Sequence, residues 1–553
     1  MRNINLRYVD EEYDQNGILS KMRIHYPDNF NFGYDIVDDI GKNDPNRRAL
    51  VWCSEKGEGR TFTFGDMMRY SNKTANYLIS LGIKKGDPVI VALKEDYQYW
   101  FVTVALHKIG AVMIPVTSML TQHDAEYRAK LSSAVAVICT SYGKVTDAFE
   151  GIEKKCPDVR VKAMAGGKRQ GWLDLDAGVE SSSDKLKRIP TKATDHLLIY
   201  FSSGTTGYPK MVLHDHTYPL GHIMTAKHWH NVIPDGVHYT IAETGWVKAS
   251  WGKIYGQWIM EAAAFAYDYP KFIASDMLSK ISEFGITSLC CPPTMYRFFI
   301  QEGLEKYDLS AIKHASTAGE ALNPDLIENW YKATGVMIAE GFGQTEATLV
   351  VCNTTKMTPR PGSMGKPSPL YDVDLLDPEG KSCAPGETGE IAVRVGVPGI
   401  YLEYYRDEKK TNATIYNGYH HTGDLAWKDE DGHYWYVGRN DDIIKSSGYR
   451  IGPFEIESVI VLHPAVKECA VTGVPDEIRG QLVKATIVLK DGYAKSDALV
   501  KEIQDFVKKE TAPYKYPRAV EFVDELPKTI SGKIKRAEIR KWSAERQSES
   551  NKE

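Results

Sequence analysis

The stretch that decides the fold is Ser202-Ser203-Gly204-Thr205-Thr206-Gly207-Tyr208-Pro209-Lys210, which directly follows the apolar run 196–201. The run predicts a buried strand, and the residues after it predict a loop that the strand carries to a site. Glycines let backbone N–H groups approach phosphate oxygens, hydroxyls donate further hydrogen bonds, and a lysine supplies a compact cation. Taken alone, the stretch is equally typical of a surface turn. It also departs from the pattern G-x-x-x-x-G-K-[ST], because Lys210 follows a proline and precedes Met211.

Composition limits the remaining possibilities. A chain of 553 residues is too long for one ordinary core, so two or more domains are expected. With 42% hydrophobic and 25% charged residues the chain is typical of soluble globular proteins, and a net charge of -5 argues against a nucleic-acid partner. No apolar run reaches the ~18 residues of a spanning helix. Residues 1–12 contain no apolar signal region, so a cytoplasmic location is predicted.

The order of patterns along the chain predicts the fold class. Strand-like runs at 88–93, 111–116 and 134–139 alternate with a longer amphipathic stretch at 99–109, which is typical of α/β layering. Between 371 and 395 short strands and turns predict an antiparallel, partly barrel-like portion. A polar junction at 438–452 precedes a new pattern of helices and strands. We therefore predict a mixed α/β protein with a large N-terminal domain of several subdomains, 1–440, and a small C-terminal α+β domain, 441–553.

Further motifs follow the first in a fixed order. They are Ala318-Gly319-Glu320-Ala321-Leu322, Glu340-Gly341-Phe342-Gly343-Gln344-Thr345-Glu346, Thr422-Gly423-Asp424, Gly438-Arg439-Asn440-Asp441-Asp442, Ser446-Ser447-Gly448-Tyr449-Arg450 and Ser531-Gly532-Lys533-Ile534. In this order the sequence resembles the adenylate-forming superfamily of acyl-CoA synthetases, adenylation domains and luciferases. The sequence is most similar to medium-chain acyl-CoA synthetases, through Thr244-Gly245-Trp246, the segment 447–453 and the segment 512–518. The resemblance covers nearly the whole chain.

The resemblance implies an AMP-forming acid–thiol ligase of fatty acid metabolism that uses ATP, Mg²⁺ and coenzyme A. It implies ATP binding by Ser202, Ser203, Gly204, Thr205, Thr206, Gly207, Lys210, Gly319, Glu320, Ala321, Glu340, Gly341, Phe342, Gly343, Gln344, Thr345, Asp424, Arg439, Arg450 and Lys533. Of these, Lys533, Thr345, Glu346 and Arg450 would be catalytic. The partners expected are small molecules, and the sequence leaves homo-oligomer formation open.

The side-chain chemistry agrees with these roles. Phe342 offers an aromatic face to adenine, and Thr345 can donate to a phosphate oxygen. A hard carboxylate such as Glu346 suits Mg²⁺ beside a triphosphate, with Thr205 as a weaker second ligand. Asp424 can accept hydrogen bonds from two ribose hydroxyls while Arg439 braces the same sugar. Taken singly, Asp424 and Arg439 are equally typical of a turn and a surface charge.

The C-terminal motifs point to the thiol acceptor. By resemblance, Asp441 is the hinge about which the C-terminal domain turns between two half-reactions. Ser447, Gly448 and Tyr449 would then meet coenzyme A, and Arg479 and Lys508 would meet its phosphates. Surface arginines and lysines are common, which makes the last two weaker candidates.

The sequence limits the size of the acid but does not identify it. Gly343 stands where the resembling acetyl-CoA synthetases carry a bulky tryptophan, so we predict an acyl pocket, formed with Trp246, for an acid larger than acetate. Further candidate walls are the aromatic side chains of Tyr208, Trp251, Phe265, Tyr267 and Tyr296. Chain length, branching and aromaticity stay open. Two rival functions also remain: an enzyme that loads a carrier protein or releases acyl-adenylate, and an inactive nucleotide-binding protein.

Overall fold

The computed structural model describes residues 3–202, 209–319, 322, 324–446, 449–476, 478–511, 515–528 and 534–550. The described residues form two compact units. The first contains 3–202, 209–372 and 394–420, and the second contains 373–393 and 421–550. The fold is the predicted mixed α/β class. The predicted division into domains 1–440 and 441–553, with its boundary near Asp441, stays a prediction.

An eight-stranded sheet of the first unit contains Ser202 and Lys210, the first and last residues of the stretch 202–210. Its strands, in spatial order, are Glu403–Tyr404, Lys210–Asp215, His196–Ser202, Val112–Pro115, Pro88–Ala92, Ala136–Thr140, Val161–Ala165 and Leu173–Asp174. The predicted strands at 88–93, 111–116, 134–139 and 196–201 are confirmed. The middle strands are parallel and rich in β-branched residues, as expected of strands buried on both faces. Among the described strands of this sheet, only Lys210–Asp215 runs in the opposite direction, and it pairs antiparallel with both of its neighbours, His196–Ser202 and Glu403–Tyr404.

A nine-stranded sheet forms the other half of the first unit. Its strands, in spatial order, are Lys366–Pro367, Val351–Cys352, Ile338–Phe342, His314–Ala318, Ser288–Cys290, Val237–Thr240, Ala263–Asp268, Arg48–Ser54 and Gly59–Thr63. Six neighbouring strands are parallel, so their carboxyl ends meet at one edge of the sheet. Ligands of α/β proteins bind beyond such ends. A separate hairpin joins Val9–Tyr13 and Leu19–Ile24, and a second short one joins Ile415–Tyr416 to residues 419–420.

Helices cover these sheets. They are Asp39–Asn43, Phe64–Ser80, Gln98–Ile109, Gln122–Ser132, Val145–Ala148, Ile152–Lys155, Leu175–Ser181, Tyr218–Ile223, Val247–Gly252, Tyr255–Ile259, Ala274–Glu283, Pro293–Glu302, Pro324–Thr334 and Glu408–Thr414, with 3₁₀ turns Ile4–Arg7 and Leu304–Lys306 and π-helical turns Gly33–Asp38 and Met224–Trp229. Thr63 and Asp66 cap Phe64–Ser80 reciprocally. The helix predicted at 99–109 is confirmed, and it is buried along its whole length.

The second unit contains two sheets. Strands Val373–Leu376, Thr388–Arg394, Tyr419–Lys428 and Tyr434–Arg439 pair antiparallel, as predicted for the segment after 371. Strands Ile444–Ser446, Tyr449–Ile451, Val466–Asp476, Gly480–Leu489 and Ala519–Val523 form the C-terminal sheet, against which lie helices Pro453–Ile460, Asp497–Glu510 and Arg536–Ser550. A core of Ile, Val and Ala side chains lies between them. Within the described part of the chain, no helix combines the length and apolar character needed to cross a bilayer.

Loops that follow strands of the two sheets of the first unit are in close contact at Gly245. A Cβ atom at this position would lie 2.3 Å from Thr117 N and 2.3 Å from Val116 C. Val116 and Thr117 follow a strand of the eight-stranded sheet, whereas Gly245 follows the strand Val237–Thr240 of the nine-stranded sheet. Only glycine therefore allows the loops beyond the two sheets to pack here.

We predict that Gly245→Ala destabilises the first unit. Because backbone atoms would have to move, the cost should be about 1–3 kcal/mol, seen as a fall in Tm of roughly 2 °C or more by scanning calorimetry. Gly59→Ala is the matched control, since its nearest atom beyond its chain neighbours is Trp52 O at 4.0 Å. An unchanged Tm for Gly245→Ala would show that the loops separate without cost.

Candidate active site

Two neighbouring parallel strands bring together the residues predicted to bind the nucleotide base. His314–Ala318 and Ile338–Phe342 pair with Ala318 opposite Gly341, so Gly319 and Phe342 both lie at the carboxyl ends. Gly319 is exposed and has φ +98, a conformation that favours glycine. Phe342 is half-buried. Glu320 and Ala321 lie outside the described residues.

Glu340, in the same strand, is a buried carboxyl group. Burial raises the pKa of Glu340 to about 8, although a hydrogen bond from the backbone of Leu322 acts in the opposite direction. Its Oε2 atom is buried and has no hydrogen-bond partner among the described residues. The group is therefore mostly protonated at neutral pH and adds little negative charge to the site.

The turn after this strand carries Thr345 and Glu346, and three hydrogen bonds hold it. His214 Nε2 donates to Thr345 O at 2.9 Å, and Tyr401 N–H donates to Glu346 O at 2.7 Å. Gln344 N–H donates to Ala347 O at 2.8 Å. Burial lowers the pKa of His214 to about 3, so the ring is neutral at physiological pH. The backbone of the turn is thus fixed from both sides.

The Glu346 side chain is buried and oriented by a tyrosine. Tyr404 OH donates to Glu346 Oε1 at 2.8 Å, and the Tyr404 ring lies 5.1 Å from Lys210 Nζ. Among the described residues, the hydrogen bond from Tyr404 is the one that the Glu346 side chain accepts. A single carboxylate oxygen beside a phosphate-type loop fits Mg²⁺, which takes one or two carboxylates and completes its coordination with phosphate and water. The donor set therefore fits the predicted metal.

The predicted phosphate loop joins the strands His196–Ser202 and Lys210–Asp215. Ser202 and Lys210 are register partners, and both are half-buried. The strand predicted before this stretch is confirmed and ends at Ser202. Ser203, Gly204, Thr205, Thr206 and Gly207 lie outside the described residues, as does Tyr208.

Gly343 packs against an indole ring. A Cβ atom on Gly343 would lie 2.5 Å from Trp251 Cη2 and 2.6 Å from Thr348 O. Trp246 precedes the helix Val247–Gly252, and Trp251 lies near the end of the same helix. The sequence also offered Phe265, Tyr267 and Tyr296 as candidate walls of the acyl pocket. These residues belong instead to the hydrophobic core of the first unit.

In the second unit, Asp424 and Arg439 are partners across two antiparallel strands. Arg439 Nη1 donates to Asp424 Oδ2 at 3.1 Å, and Tyr436 OH donates to Asp424 Oδ1 at 2.8 Å. Arg439 Nε also lies 3.6 Å from Asp441 Oδ1, which links the predicted sugar-binding pair to the predicted hinge. Burial lowers the pKa of Arg439, but the charges of Asp424 and Asp441 outweigh this and raise it above its ordinary value.

The residues predicted to meet coenzyme A are only partly described. Tyr449 is half-exposed and lies opposite Ser446, which also pairs with Gly480, so Tyr449 and Arg479 lie at the same end of the C-terminal sheet. Lys508 instead lies over the Tyr516 ring, with Nζ 4.3 Å from its centroid. Arg450 belongs to the strand Tyr449–Ile451. Ser447, Gly448 and Lys533 lie outside the described residues.

Sequence reasoning missed two residues of this site. Neither His214 nor Tyr404 belongs to one of the recognised motifs. Tyr404 lies in a strand of two residues that no periodicity can reveal, and it is 58 residues from its partner Glu346. Its aromatic neighbours Tyr401 and Tyr405 were the one signal in the sequence.

We predict that Glu340→Gln flattens the pH dependence of stability. The unfolded pKa is near 4.5 and the folded pKa is about 8, so between these values the folded state keeps a proton that the unfolded chain has released. Stability should fall as pH rises through this window, by up to about 1.4 kcal/mol per pH unit, and the variant should lose this contribution. Tm measured from pH 5 to 8 tests this, with the exposed Glu328→Gln as control. Equal slopes for wild type and Glu340→Gln would contradict it.

Comparisons with known proteins agree with this site. The family described as "AMP-binding enzyme" matches residues 37–405, and "AMP-binding enzyme C-terminal domain" matches residues 455–533. "Acyl-coenzyme A synthetase ACSM3, mitochondrial" of Mus musculus is 41% identical over 534 residues, covering 94% of this chain and 91% of that protein. "Acyl-coenzyme A synthetase ACSM5, mitochondrial" of Homo sapiens is 40% identical over 528 residues, covering 93% and 90%.

Solved structures give the same result. The anthranilate CoA ligase AuaEII in complex with anthranoyl-AMP aligns with a TM-score of 0.86 and 30% identity, covering 95% of this chain and 99% of that one. The Brucella canis acyl-CoA synthetase aligns with a TM-score of 0.72 and 31% identity, covering 95% and 96%. The chain therefore belongs to the AMP-binding enzyme family, and within it to the acyl-coenzyme A synthetases.

Proposed function

We propose that this acyl-coenzyme A synthetase works in two steps with ATP as the energy source. A carboxylic acid and ATP give acyl-adenylate and pyrophosphate, and coenzyme A then gives acyl-CoA and AMP. The observation that best supports this is the grouping of Lys210 and Glu346 around Tyr404, next to the loop after Ser202. A cation and a carboxylate so placed suit a polyphosphate with its divalent metal.

The first step requires charge compensation rather than a base. The acid is already ionised near pH 7, so its oxygen can attack the α-phosphorus directly and expel pyrophosphate. Because both reactants are anions, cations must offset their repulsion and stabilise the crowded transition state. Lys210 contributes one charge, and by resemblance Arg450 and Lys533 contribute two more. Mg²⁺ held by Glu346, with Thr205, would supply further positive charge to the phosphate oxygens.

The nucleoside half of ATP has its own proposed contacts. Phe342 stacks on adenine beside Gly319 and Gly341, while Thr345 donates to a phosphate oxygen. Asp424 accepts from the ribose hydroxyls, and its hydrogen bonds with Tyr436 and Arg439 support this role because they fix the carboxylate in one orientation. The protonated state of Glu340 avoids a second negative charge near the phosphates.

The second step needs the C-terminal domain, 441–553, to move relative to residues 1–440. Attack of the coenzyme A thiol on the acyl carbonyl expels AMP. We infer that rotation about Asp441 withdraws Lys533 and brings Ser447, Gly448 and Tyr449 to the thiol. The weak 3.6 Å ion pair between Arg439 and Asp441 supports a junction that can rearrange at low cost. Arg479 and Lys508 would attract the phosphates of coenzyme A.

The proposed acid is larger than acetate, in the range from short branched to medium-chain or aromatic. Two tryptophans of one short segment, Trp246 and Trp251, support an apolar pocket, and Gly343 leaves room for the Trp251 indole to pack against it. An aromatic acid belongs in the range because the solved relative AuaEII is an anthranilate CoA ligase.

A panel of acids tests the proposal. With ATP, Mg²⁺ and coenzyme A, purified enzyme should convert butyrate, 2-methylbutyrate, octanoate or benzoate with kcat/KM at least roughly tenfold above that for acetate, since each buried methylene adds ~1 kcal/mol or more. Acyl-CoA and AMP measured by mass spectrometry give the readout. A higher kcat/KM for acetate than for every other acid would overturn the pocket assignment.

Omitting coenzyme A separates the rival functions. Exchange of pyrophosphate into ATP should persist without coenzyme A, and thioester should appear only when it is added. Exchange without any thioester would instead favour carrier loading or release of acyl-adenylate. Absence of both would favour the inactive nucleotide-binding protein.

We predict that Lys533→Ala separates the two half-reactions. Adenylation should fall by roughly 100-fold or more, because a cation at the reacting phosphate is lost, whereas thioester formation from supplied acyl-adenylate should be largely retained. Lys541→Ala, on the exposed face of the last helix, is the control. Equal loss of both steps would contradict the proposed domain rotation.

The predicted cytoplasmic location stays a prediction, since the names of the two mammalian relatives place those proteins in mitochondria. The partners we propose are the carboxylic acid, ATP and coenzyme A.

A further inference from the structure

Tyr404 is the residue of the site whose role no motif explains. It is 3% exposed, and its hydroxyl donates a 2.8 Å hydrogen bond to Glu346 Oε1. Tyr404 and Glu346 are associated with different sheets. Tyr404 lies in the edge strand of the eight-stranded sheet, whereas Glu346 follows a strand of the nine-stranded sheet. The contact therefore ties the two sheets together at the site itself.

Several backbone contacts hold Tyr404 in place. Its strand pairs antiparallel with Lys210–Asp215, with Tyr404 opposite Val212. Lys210 lies two residues from Val212 and hence on the same face of the sheet, which places its Nζ 5.1 Å from the Tyr404 ring centroid. Tyr404 N–H donates to Thr411 Oγ1 at 3.0 Å, and Tyr405 N–H donates to Met211 O at 2.8 Å. The phenol therefore has one well-defined position.

The environment keeps the phenol as a donor. The Tyr404 hydroxyl lies 2.8 Å from Glu346 Oε1, and a carboxylate oxygen can only accept, so the hydroxyl is the donor of this hydrogen bond. A protonated phenol beside a carboxylate can only donate to it, which fixes the rotamer of Glu346. The hydrogen bond engages Oε1, so Oε2 is the Glu346 oxygen that does not bind Tyr404 and can face another ligand.

We propose that Tyr404 is a positioning residue for the divalent cation that accompanies ATP: its hydroxyl orients the Glu346 carboxylate, and its ring holds Lys210 beside the same phosphates. This inference rests on the proposed function, because it assumes that Glu346 meets a metal–nucleotide complex. Outer hydrogen bonds of this kind commonly change metal affinity when they are removed. Tyr404 itself touches neither the metal nor the reacting atoms.

The test is metal binding in the absence of turnover. Mn²⁺ replaces Mg²⁺, α,β-methylene-ATP replaces ATP, and the bound Mn²⁺ is counted by electron paramagnetic resonance. Tyr404→Phe keeps the ring and its contact with Lys210 but removes the hydroxyl. We expect its Kd for Mn²⁺ in the ternary complex to rise roughly tenfold, with a matching rise in the Mg²⁺ concentration needed for half-maximal pyrophosphate exchange.

Tyr405→Phe is the matched control. The adjacent side chain points to the opposite face of the strand and contacts His196 and Arg406 through its ring, which phenylalanine retains. It should bind Mn²⁺ like wild type. Equal Kd values for Tyr404→Phe and wild type would overturn the inference.

A second variant covers the case in which Tyr404→Phe does not fold. Glu346→Asp keeps the charge but shortens the side chain beyond the reach of the Tyr404 hydroxyl, so it should weaken Mn²⁺ binding by a similar factor. Wild-type affinity in Glu346→Asp would overturn the inference. Failure of the proposed function is distinguishable, because wild-type enzyme would then give neither AMP nor thioester with any acid, whatever its affinity for Mn²⁺.

Discussion

Main-chain pairing between residues 346–348 and 399–401 determines where the Glu346 carboxylate lies. Ala347 and Ile400 form an antiparallel bridge, Tyr401 N–H donates to Glu346 O at 2.7 Å, and Thr348 N–H donates to Gly399 O at 3.1 Å. The first segment leaves the nine-stranded sheet and the second leads into the edge of the eight-stranded sheet. Because parallel strands are covered on both faces, polar groups can converge only where strands end. The pairing makes two such ends coincide.

Burial determines the charges at this convergence. Four histidines of the first unit, His214, His222, His230 and His238, have pKa values lowered by desolvation and are neutral at physiological pH. Desolvation raises the pKa of Glu340 to about 8, so that group is largely uncharged as well. Glu340 therefore adds little negative charge to the segment 340–346. A site for a tetra-anionic nucleotide benefits when few of its carboxyl groups are charged, because every extra carboxylate would repel the substrate.

The sequence predicted the features that depend on neighbouring residues along the chain. It did not predict those that depend on contacts between distant residues. The strand at 196–201 and the helix at 99–109 were found within one or two residues, since apolar runs and periodicity record burial directly. The partners of Asp424 and the neutral state of Glu340 depend on contacts that no local pattern records. Phe265 and Tyr267, in the strand Ala263–Asp268, show the limit most clearly. A strand covered on both faces has no polar side, so the sequence could not tell which of its aromatic residues point to the core and which to a pocket.

The contact between Gly343 and Trp251 changes how the acyl pocket should be understood. A glycine was expected to leave empty space, but its Cα hydrogen faces an indole that approaches to 2.5 Å of the position a Cβ would take. The volume that a larger residue would fill is thus occupied by Trp251, a residue of a different element. Trp251 is 5% exposed and packs near Trp229, with ring centroids 6.1 Å apart. Glycine at 343 therefore acts by permitting the indole to sit there. In the acyl pocket that we propose, the orientation of Trp251 and of the short helix Val247–Gly252 that carries it would therefore limit the size of the acid.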